Sequence, residues 1–292
     1  FYNDFTKLKY SDEDFHIPYF VNGEKDSLKK RLQETATYLC ASLGLKNVFE
    51  KIIYRTEVGF LELKGKLPEF FLRLLKGVEI YIKKNPYGPE EQANLLQVFR
   101  NRMNVYNEDK IQNVLRLREE NLPTWVSDWL NGKNIFLDLS LCSKFIKPLI
   151  VNAIFQLVRT VTKDSEAEEL KYLIVIDEAH ALLVKPITTN SDDADFITKE
   201  QMAKIFSELL KEYRSRGVGI VIADQSPSLL FDDVTSQPSI KVIFRVDYPN
   251  NLLFSEDPLE RQILTQLPHR LALVINGATG EKYLIETLDY IL

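Results

Sequence analysis

Residues 172–176 read Tyr-Leu-Ile-Val-Ile, and two carboxylates, Asp177 and Glu178, follow directly. An apolar run without polar alternation is typical of a strand that is buried on both faces of a parallel sheet. In open α/β sheets, ligands bind beyond the carboxyl ends of the strands, which is where Asp177 and Glu178 would emerge. This stretch therefore predicts an α/β fold with a site at the edge of its sheet. The alternative interpretation is a core strand that ends in a solvated acidic turn.

The composition limits the classes of protein that are compatible with this strand. The chain has 292 residues, of which 45% are hydrophobic and 27% charged, as expected for an ordinary globular protein with an ample core. Charged residues interrupt every long apolar stretch, so no segment is predicted to span a membrane. The net charge of −5 argues against a surface coated for nucleic acid, although a basic channel remains compatible with it.

The few cysteines and histidines bear on the redox compartment and on metal binding. Cys40 and Cys142 provide no disulfide framework, which favours a reducing cytoplasm. The three histidines lie far apart, so a zinc site is not expected.

The sequence begins Phe-Tyr-Asn-Asp, without an initiator methionine or a signal-peptide pattern, and we expect it to come from the middle of a longer protein.

Residues 1–130 are predicted to form a mainly helical insertion subdomain. After a polar and aromatic start, in which 15–20 could form a short strand, apolar residues recur at helical spacing. Gly44 suits the C-terminal cap of the first helix. The predicted helices cover 27–43, 48–63, 68–83, 90–106, 109–120 and 123–130.

Residues 131–292 alternate between strand and helix patterns, which predicts a mostly parallel sheet flanked by helices. The predicted helices are 143–162 and 198–216. The predicted strands are 133–140, 172–177, 218–223, 240–246, 271–275 and 282–285.

Polar residues at the strand ends point to a nucleotide site. Asp177 and Glu178 have the arrangement of a Walker B motif, in which one carboxylate positions Mg²⁺ and the next polarises the attacking water. Gln225 ends the next strand, where it could orient the water or sense the γ-phosphate; a polar loop residue is the alternative. Arg214 and Arg216 end the preceding helix, either to compensate the helix dipole or as an arginine finger.

Together these motifs resemble the HerA/FtsK group of ring-shaped ATPases, and most closely its HerA-like branch. The resemblance covers about residues 131–280. It rests on Ile135–Ser140, Ile174–His180, Lys211–Ser228 and Lys241–Val246. It implies a RecA-like fold with the helical subdomain inserted before the Walker B strand.

The resemblance also implies roles for individual residues. Asp177 would position Mg²⁺ through water, Glu178 would be the catalytic base, and Gln225 would be the sensor. Arg214 stands at the family's finger position and would reach into the adjacent subunit. Arg216 and Arg245 are predicted to contact the nucleotide, although the sequence does not settle the role of Arg245.

For the whole protein, the resemblance implies a cytoplasmic Mg-ATP-driven translocase or helicase. A homohexameric ring would move duplex DNA through its pore, with a nuclease as a candidate partner. Two alternatives stay open: a non-hydrolysing structural subunit, and a conjugation or secretion ATPase that moves protein or single-stranded DNA. Lys83, Lys84, Arg100 and Arg102 could face DNA, but solvated helix faces are the favoured explanation.

The P-loop of the family, G-x-x-x-x-G-K-[ST], is absent from these 292 residues. The nearest string begins at Gly59, has one residue too many before Gly65-Lys66, and ends in leucine. The sequence therefore looks like the portion downstream of the P-loop. Without that loop the chain lacks a backbone cradle for the phosphates, so we expect it to bind ATP poorly and to hydrolyse it negligibly.

Residues 177–180 spell Asp-Glu-Ala-His, the box of a large helicase class. The late arginine-rich motif of those helicases, with its Gly-Arg steps, is missing here. His180 is therefore predicted to pack or cap beside the site rather than to bind metal.

Overall fold

The computed structural model describes residues 5–21, 36–37, 39–40, 43–45, 47–55, 67–104, 109–119, 121–143, 146–162, 169–183 and 194–288. The chain divides into two compact units. The first consists of Phe1–Leu173 and Pro186–Gly219, and the second of Ile174–Lys185 and Ile220–Leu292.

The helices of the first unit largely follow the sequence prediction. They are α1 (Asn47–Arg55), α2 (Leu67–Lys84), α3 (Pro89–Met103), α4 (Asp109–Val114), α5 (Thr124–Leu130), α6 (Lys147–Val161) and α7 (Ala194–Ser215). Of the predicted helix 48–63, the part beyond Arg55 lies outside the described residues. No helix among the described ranges is both long enough and apolar enough to cross a bilayer.

The predicted cap at Gly44 is confirmed. The residues described between 36 and 43 are helical, and Gly44 takes the left-handed conformation with φ of 60°. The Leu45 N–H then donates to the Cys40 carbonyl at 2.9 Å, which closes the helix in a Schellman motif.

Two parallel strand pairs complete the first unit. Strand β1 (Phe5–Lys9) pairs with β4 (Asn134–Asp138), and β2 (Ile17–Val21) pairs with β3 (Leu115–Glu119). The predicted boundary at residue 130 would separate β1 from its partner β4. That division into domains stays a prediction.

The predicted helix 109–120 is wrong in its second half, because α4 ends at Val114 and β3 follows. Leucine and arginine alternate from Leu115 to Arg118, which is the period-two pattern of a strand. The Leu115 side chain is fully buried, and β2 supplies the backbone hydrogen-bond partners that a strand needs.

The core of the first unit joins the helices to these strands. Phe49 and Phe99 stack with their ring centroids 5.7 Å apart, and Phe15 packs beside Trp125. The buried Tyr213 of α7 donates its hydroxyl to the Phe155 carbonyl of α6. Tyr213 thereby fixes the C-terminal part of α7 against α6.

Strands β5 (Tyr172–Ile176) and β6 (Val218–Ile222) pair with each other and continue from the first unit into the second. At their starts, Lys171 and Tyr172 donate backbone N–H groups to the Gly217 carbonyl, at 2.8 and 3.0 Å. At their ends, the Ala223 N–H donates to the Ile176 carbonyl at 2.9 Å. The pairing advances in the same direction along both strands, so they are parallel.

The second unit also contains α8 (Asp232–Ser236), α9 (Pro258–Gln266) and the sheet of β7 (Ile240–Ile243), β8 (Leu271–Asn276) and β9 (Lys282–Glu286). These three strands are antiparallel, whereas the sheet of residues 131–292 was expected to be mostly parallel. The short turn between β8 and β9 explains part of this difference, because a parallel connection needs a long crossover. Gly280, with φ of 73°, lies in that turn.

Candidate functional site

The carboxyl ends of β5 and β6 lie side by side because the two strands are parallel. Asp177 and Glu178 follow β5, while Asp224 and Gln225 follow β6. The Ala179 N–H donates to the Ala223 carbonyl at 3.3 Å, which extends the backbone contact beyond the strands. All four of these polar side chains belong to the second unit.

Glu178 has an unusual backbone conformation. Its φ of 52° and ψ of 50° place it in the left-handed region, which costs a non-glycine residue about 1–3 kcal/mol. Its N–H donates to Oδ1 of Asp177 at 3.0 Å. This turn ends the strand and directs the chain into a short 3₁₀ helix, Ala179–Ala181.

Glu178 and Gln225 are in direct contact. Gln225 Nε2 donates to Glu178 Oε1 at 2.9 Å. The sequence placed these residues at the ends of successive strands, and the structure brings their side chains together. Their catalytic roles stay predictions.

Asp224 is a residue of the site that sequence reasoning did not single out. Its side chain is only 3% exposed, and its Oδ2 accepts from the His180 N–H at 2.6 Å and lies 3.0 Å from His180 Nδ1. Its Oδ1 accepts from the Ser226 N–H at 2.6 Å. Its signal in the sequence is a carboxylate at the end of β6, directly before Gln225.

His180 lies between two carboxylates. Its Nδ1 is 3.0 Å from Asp224 Oδ2 and 3.3 Å from Glu178 Oε2. The four side chains of Gln225, Glu178, His180 and Asp224 therefore form one continuous polar chain, which we call the strand-end network.

Two of the three predicted site arginines belong to the first unit and differ in their surroundings. Arg216 donates to the Arg159 carbonyl and to Glu212, and its side chain is only 15% exposed. Arg159 in turn contacts Glu212 at 2.7 Å. Arg214 is exposed, and among the described residues its guanidinium has no hydrogen-bond or ion-pair partner.

Arg245 lies in the second unit, in the segment that follows β7. It is exposed, and its guanidinium contacts no hydrogen-bond acceptor within the described part of the chain. Its assignment to the nucleotide stays a prediction.

The site fits part of what a Mg-nucleotide requires. Asp177 offers an exposed carboxylate, which suits an ion that keeps several of its own waters. Across the described ranges, no group of three His, Cys, Asp or Glu side chains could hold a metal ion by itself. Asp177 would therefore hold Mg²⁺ only together with water and the phosphates of the nucleotide.

Two solved structures share the fold of nearly the whole chain. VirB4 of Thermoanaerobacter pseudethanolicus superimposes with a TM-score of 0.62 over 99% of this chain and 78% of its own, at 15% identity. The bacterial conjugative coupling protein TrwB gives a TM-score of 0.58 over 98% of this chain and 78% of its own, at 12% identity. The predicted RecA-like α/β fold is confirmed.

In sequence, the chain is 28% identical over 144 residues to the DNA double-strand break repair helicase HerA of Sulfurisphaera tokodaii. The match covers 47% of this chain and 27% of that protein, so it spans only about a quarter of the relative's length. No protein-family model matches the sequence. These findings confirm the resemblance to P-loop motor ATPases of the HerA/FtsK type.

Proposed function

We propose that this chain carries the water-activating half of the ATP site of a HerA-like DNA motor. In the native protein, Asp177 would hold Mg²⁺ through water, and Glu178 would accept a proton from the attacking water. When bound, the metal ion would neutralise charge on the phosphates. Gln225 would help to orient the water.

The contact between Gln225 and Glu178 supports this proposal most directly. A general base must be held within hydrogen-bond reach of the proton that it takes. Gln225 binds one carboxylate oxygen of Glu178 at 2.9 Å, so the two side chains can act on the same water. A solvated acidic turn would not need such a link between two strand ends.

The test is to replace Glu178 by glutamine in the full-length native protein. Glu178→Gln keeps the shape of the side chain but removes its basicity, so we expect kcat for ATP hydrolysis to fall by about 10²–10⁴-fold. Nucleotide affinity should change little, because the water, rather than the phosphates, loses its partner.

Glu256→Gln is the matched control, since Glu256 is an exposed carboxylate of the same unit outside the strand-end network. Its kcat should equal that of the wild type. Near-normal hydrolysis by Glu178→Gln would show that Glu178 is not the base.

We further propose that the motor acts on duplex DNA as a cytoplasmic homohexameric ring, with a nuclease as a candidate partner. Arg214 would complete the site of a neighbouring subunit, while Arg216 and Arg245 would contact the nucleotide. The guanidinium of Arg214 is exposed and has no partner within the described part of the chain, which is compatible with a role in trans. The division into a helical insertion (1–130) and an ATPase core (131–292) is part of the same proposal.

A conjugation or secretion ATPase is the second candidate. The likeness to VirB4 and TrwB extends over nearly the whole chain, whereas the likeness to HerA covers 47% of it. ATPase rates with duplex and with single-stranded DNA of equal length separate the two. Stimulation by duplex DNA supports the HerA-like motor, and stimulation by single strands alone favours the second candidate.

A further inference from the structure

Two carboxylates of the strand-end network share one imidazole nitrogen. His180 Nδ1 lies 3.0 Å from Asp224 Oδ2 and 3.3 Å from Glu178 Oε2. An ionised carboxylate can only accept hydrogen bonds, so a proton on Nδ1 is the arrangement that satisfies both contacts. His180 would then donate one N–H to the two acidic side chains at once.

Asp224 is the fixed end of this bridge. Its carboxylate is nearly inaccessible to solvent, and it accepts backbone N–H groups from His180, after β5, and from Ser226, after β6. Both hydrogen bonds are 2.6 Å long, and charge-assisted bonds of this kind are stronger than neutral ones. Asp224 thus joins the two strand ends and sets the position of the imidazole.

Glu178 is the exposed end of the bridge. Its side chain is 46% exposed and has several rotatable bonds, so the fold alone does not fix its carboxylate. Gln225 holds Oε1 and His180 holds Oε2. With one donor on each oxygen, the plane of the carboxylate is set relative to the strand ends.

We infer that His180 is a positioning residue, and that it transmits the fixed location of Asp224 to Glu178 through Nδ1–H. This inference rests on the proposed function, in which Glu178 accepts the proton of the attacking water. Without the imidazole, Glu178 would lose one of its two tethers and would face Asp224 without a donor between them. A misplaced catalytic group can cost roughly 100-fold in rate.

The kinetic test compares two substitutions at His180 in the full-length native protein. His180→Leu removes the donor, and we expect kcat to fall by roughly 10- to 100-fold with KM for ATP unchanged. His180→Asn places an amide N–H close to the position of Nδ1, so it should recover most of the rate. His269→Leu is the control, since His269 is exposed and belongs to the same unit.

A wild-type kcat for His180→Leu overturns the inference. So does a failure of His180→Asn to exceed His180→Leu, because a role in packing would depend on side-chain bulk rather than on the N–H. If the wild-type protein hydrolyses no ATP, the proposed function fails first, and the role assigned to His180 fails with it.

A second measurement does not depend on activity. Nitrogen NMR of the wild-type protein at about pH 8 reports which ring nitrogen of a neutral histidine carries the proton. We expect Nδ1–H for His180, with its signal assigned by its loss in His180→Asn. A proton on Nε2 would overturn the bridge even if Glu178 proves to be the base.

Discussion

At the scale of single residues, the site depends on polar side chains that hold one another in position through hydrogen bonds. Glu178 adopts a left-handed backbone conformation that few residues of its kind tolerate. Such strain persists only where surrounding contacts over-determine it. Here the contacts are the Asp177 oxygen on its N–H and the two donors on its carboxylate.

Gln225 gives the prediction that belongs to this scale. Gln225→Ala removes the donor to Glu178 Oε1, so we expect kcat for ATP hydrolysis in the full-length protein to fall by roughly 10- to 100-fold. The free energy of unfolding should change by less than about 0.5 kcal/mol, because the side chain is exposed.

Gln262→Ala, at an exposed position of α9, is the control and should leave both quantities unchanged. The double variant Glu178→Gln/Gln225→Ala should be no slower than Glu178→Gln, since both residues act on one step. Losses that multiply would instead indicate that Gln225 acts independently of Glu178.

At the scale of elements, two arginines near the C-terminus of α7 have similar sequence contexts but different surroundings: Arg214 lies in the last turn, and Arg216 follows the helix directly. Arg216 forms a cluster with Arg159 and Glu212 that links the end of α7 to α6. Arg214 is exposed on the same terminal turns. The contacts of Arg216 therefore give it a role in the stability of the first unit, whereas those of Arg214 do not.

We therefore expect Arg216→Ala to lower the free energy of unfolding by about 1–2 kcal/mol, since it breaks partly buried hydrogen bonds to a carboxylate and a carbonyl. Arg214→Ala is the matched control and should change it by less than about 0.5 kcal/mol. Urea unfolding of the two variants measures the difference. Equal stabilities would contradict the structural role given to Arg216.

At the scale of the whole molecule, the reactivity of the two cysteines can measure whether the first unit is folded. Cys40 and Cys142 belong to its core cluster, and the second unit contains none. Burial raises the pKa of the Cys142 thiol to about 11. Burial, with a smaller contribution from the charge of Glu50, raises the pKa of the Cys40 thiol well above its ordinary value.

The thiolate is the reactive form, so both side chains should resist iodoacetamide in the folded protein. At pH 8, Cys142 would be ionised to only about one part in a thousand, and its pKa falls to an ordinary value when the chain unfolds. Mass spectrometry after labelling with and without urea makes this measurement.

Glu256→Cys places a thiol at an exposed position of the second unit and should be labelled rapidly without urea. Labelling of native Cys142 at the rate of that control would show that the first unit opens readily. Protection of the two native cysteines that is lost at one urea concentration would indicate a single cooperative unit.

The sequence by itself determined the local features. The apolar run of β5 with its two carboxylates, the strand β6 with Gln225 at its end, and the glycine cap at Gly44 can all be recognised in short windows. Each depends on interactions between neighbours along the chain: hydrophobic periodicity, the end of a strand, or a φ that glycine tolerates. The same windows were sufficient for the resemblance to HerA-like motors.

Only the tertiary structure decided which distant residues meet. The prediction of helix for β3 is wrong although leucine and arginine alternate there, because the partner strand β2, which supplies its backbone hydrogen bonds, lies about 100 residues away along the chain. The antiparallel pairing of β7 with β8 and the parallel pairing of β1 with β4 likewise depend on long-range contacts. For the site, His180 and Asp224 are 44 residues apart, so their contact has no signature in either segment. A buried carboxylate is recognisable as an anchor only when the donors around it are known.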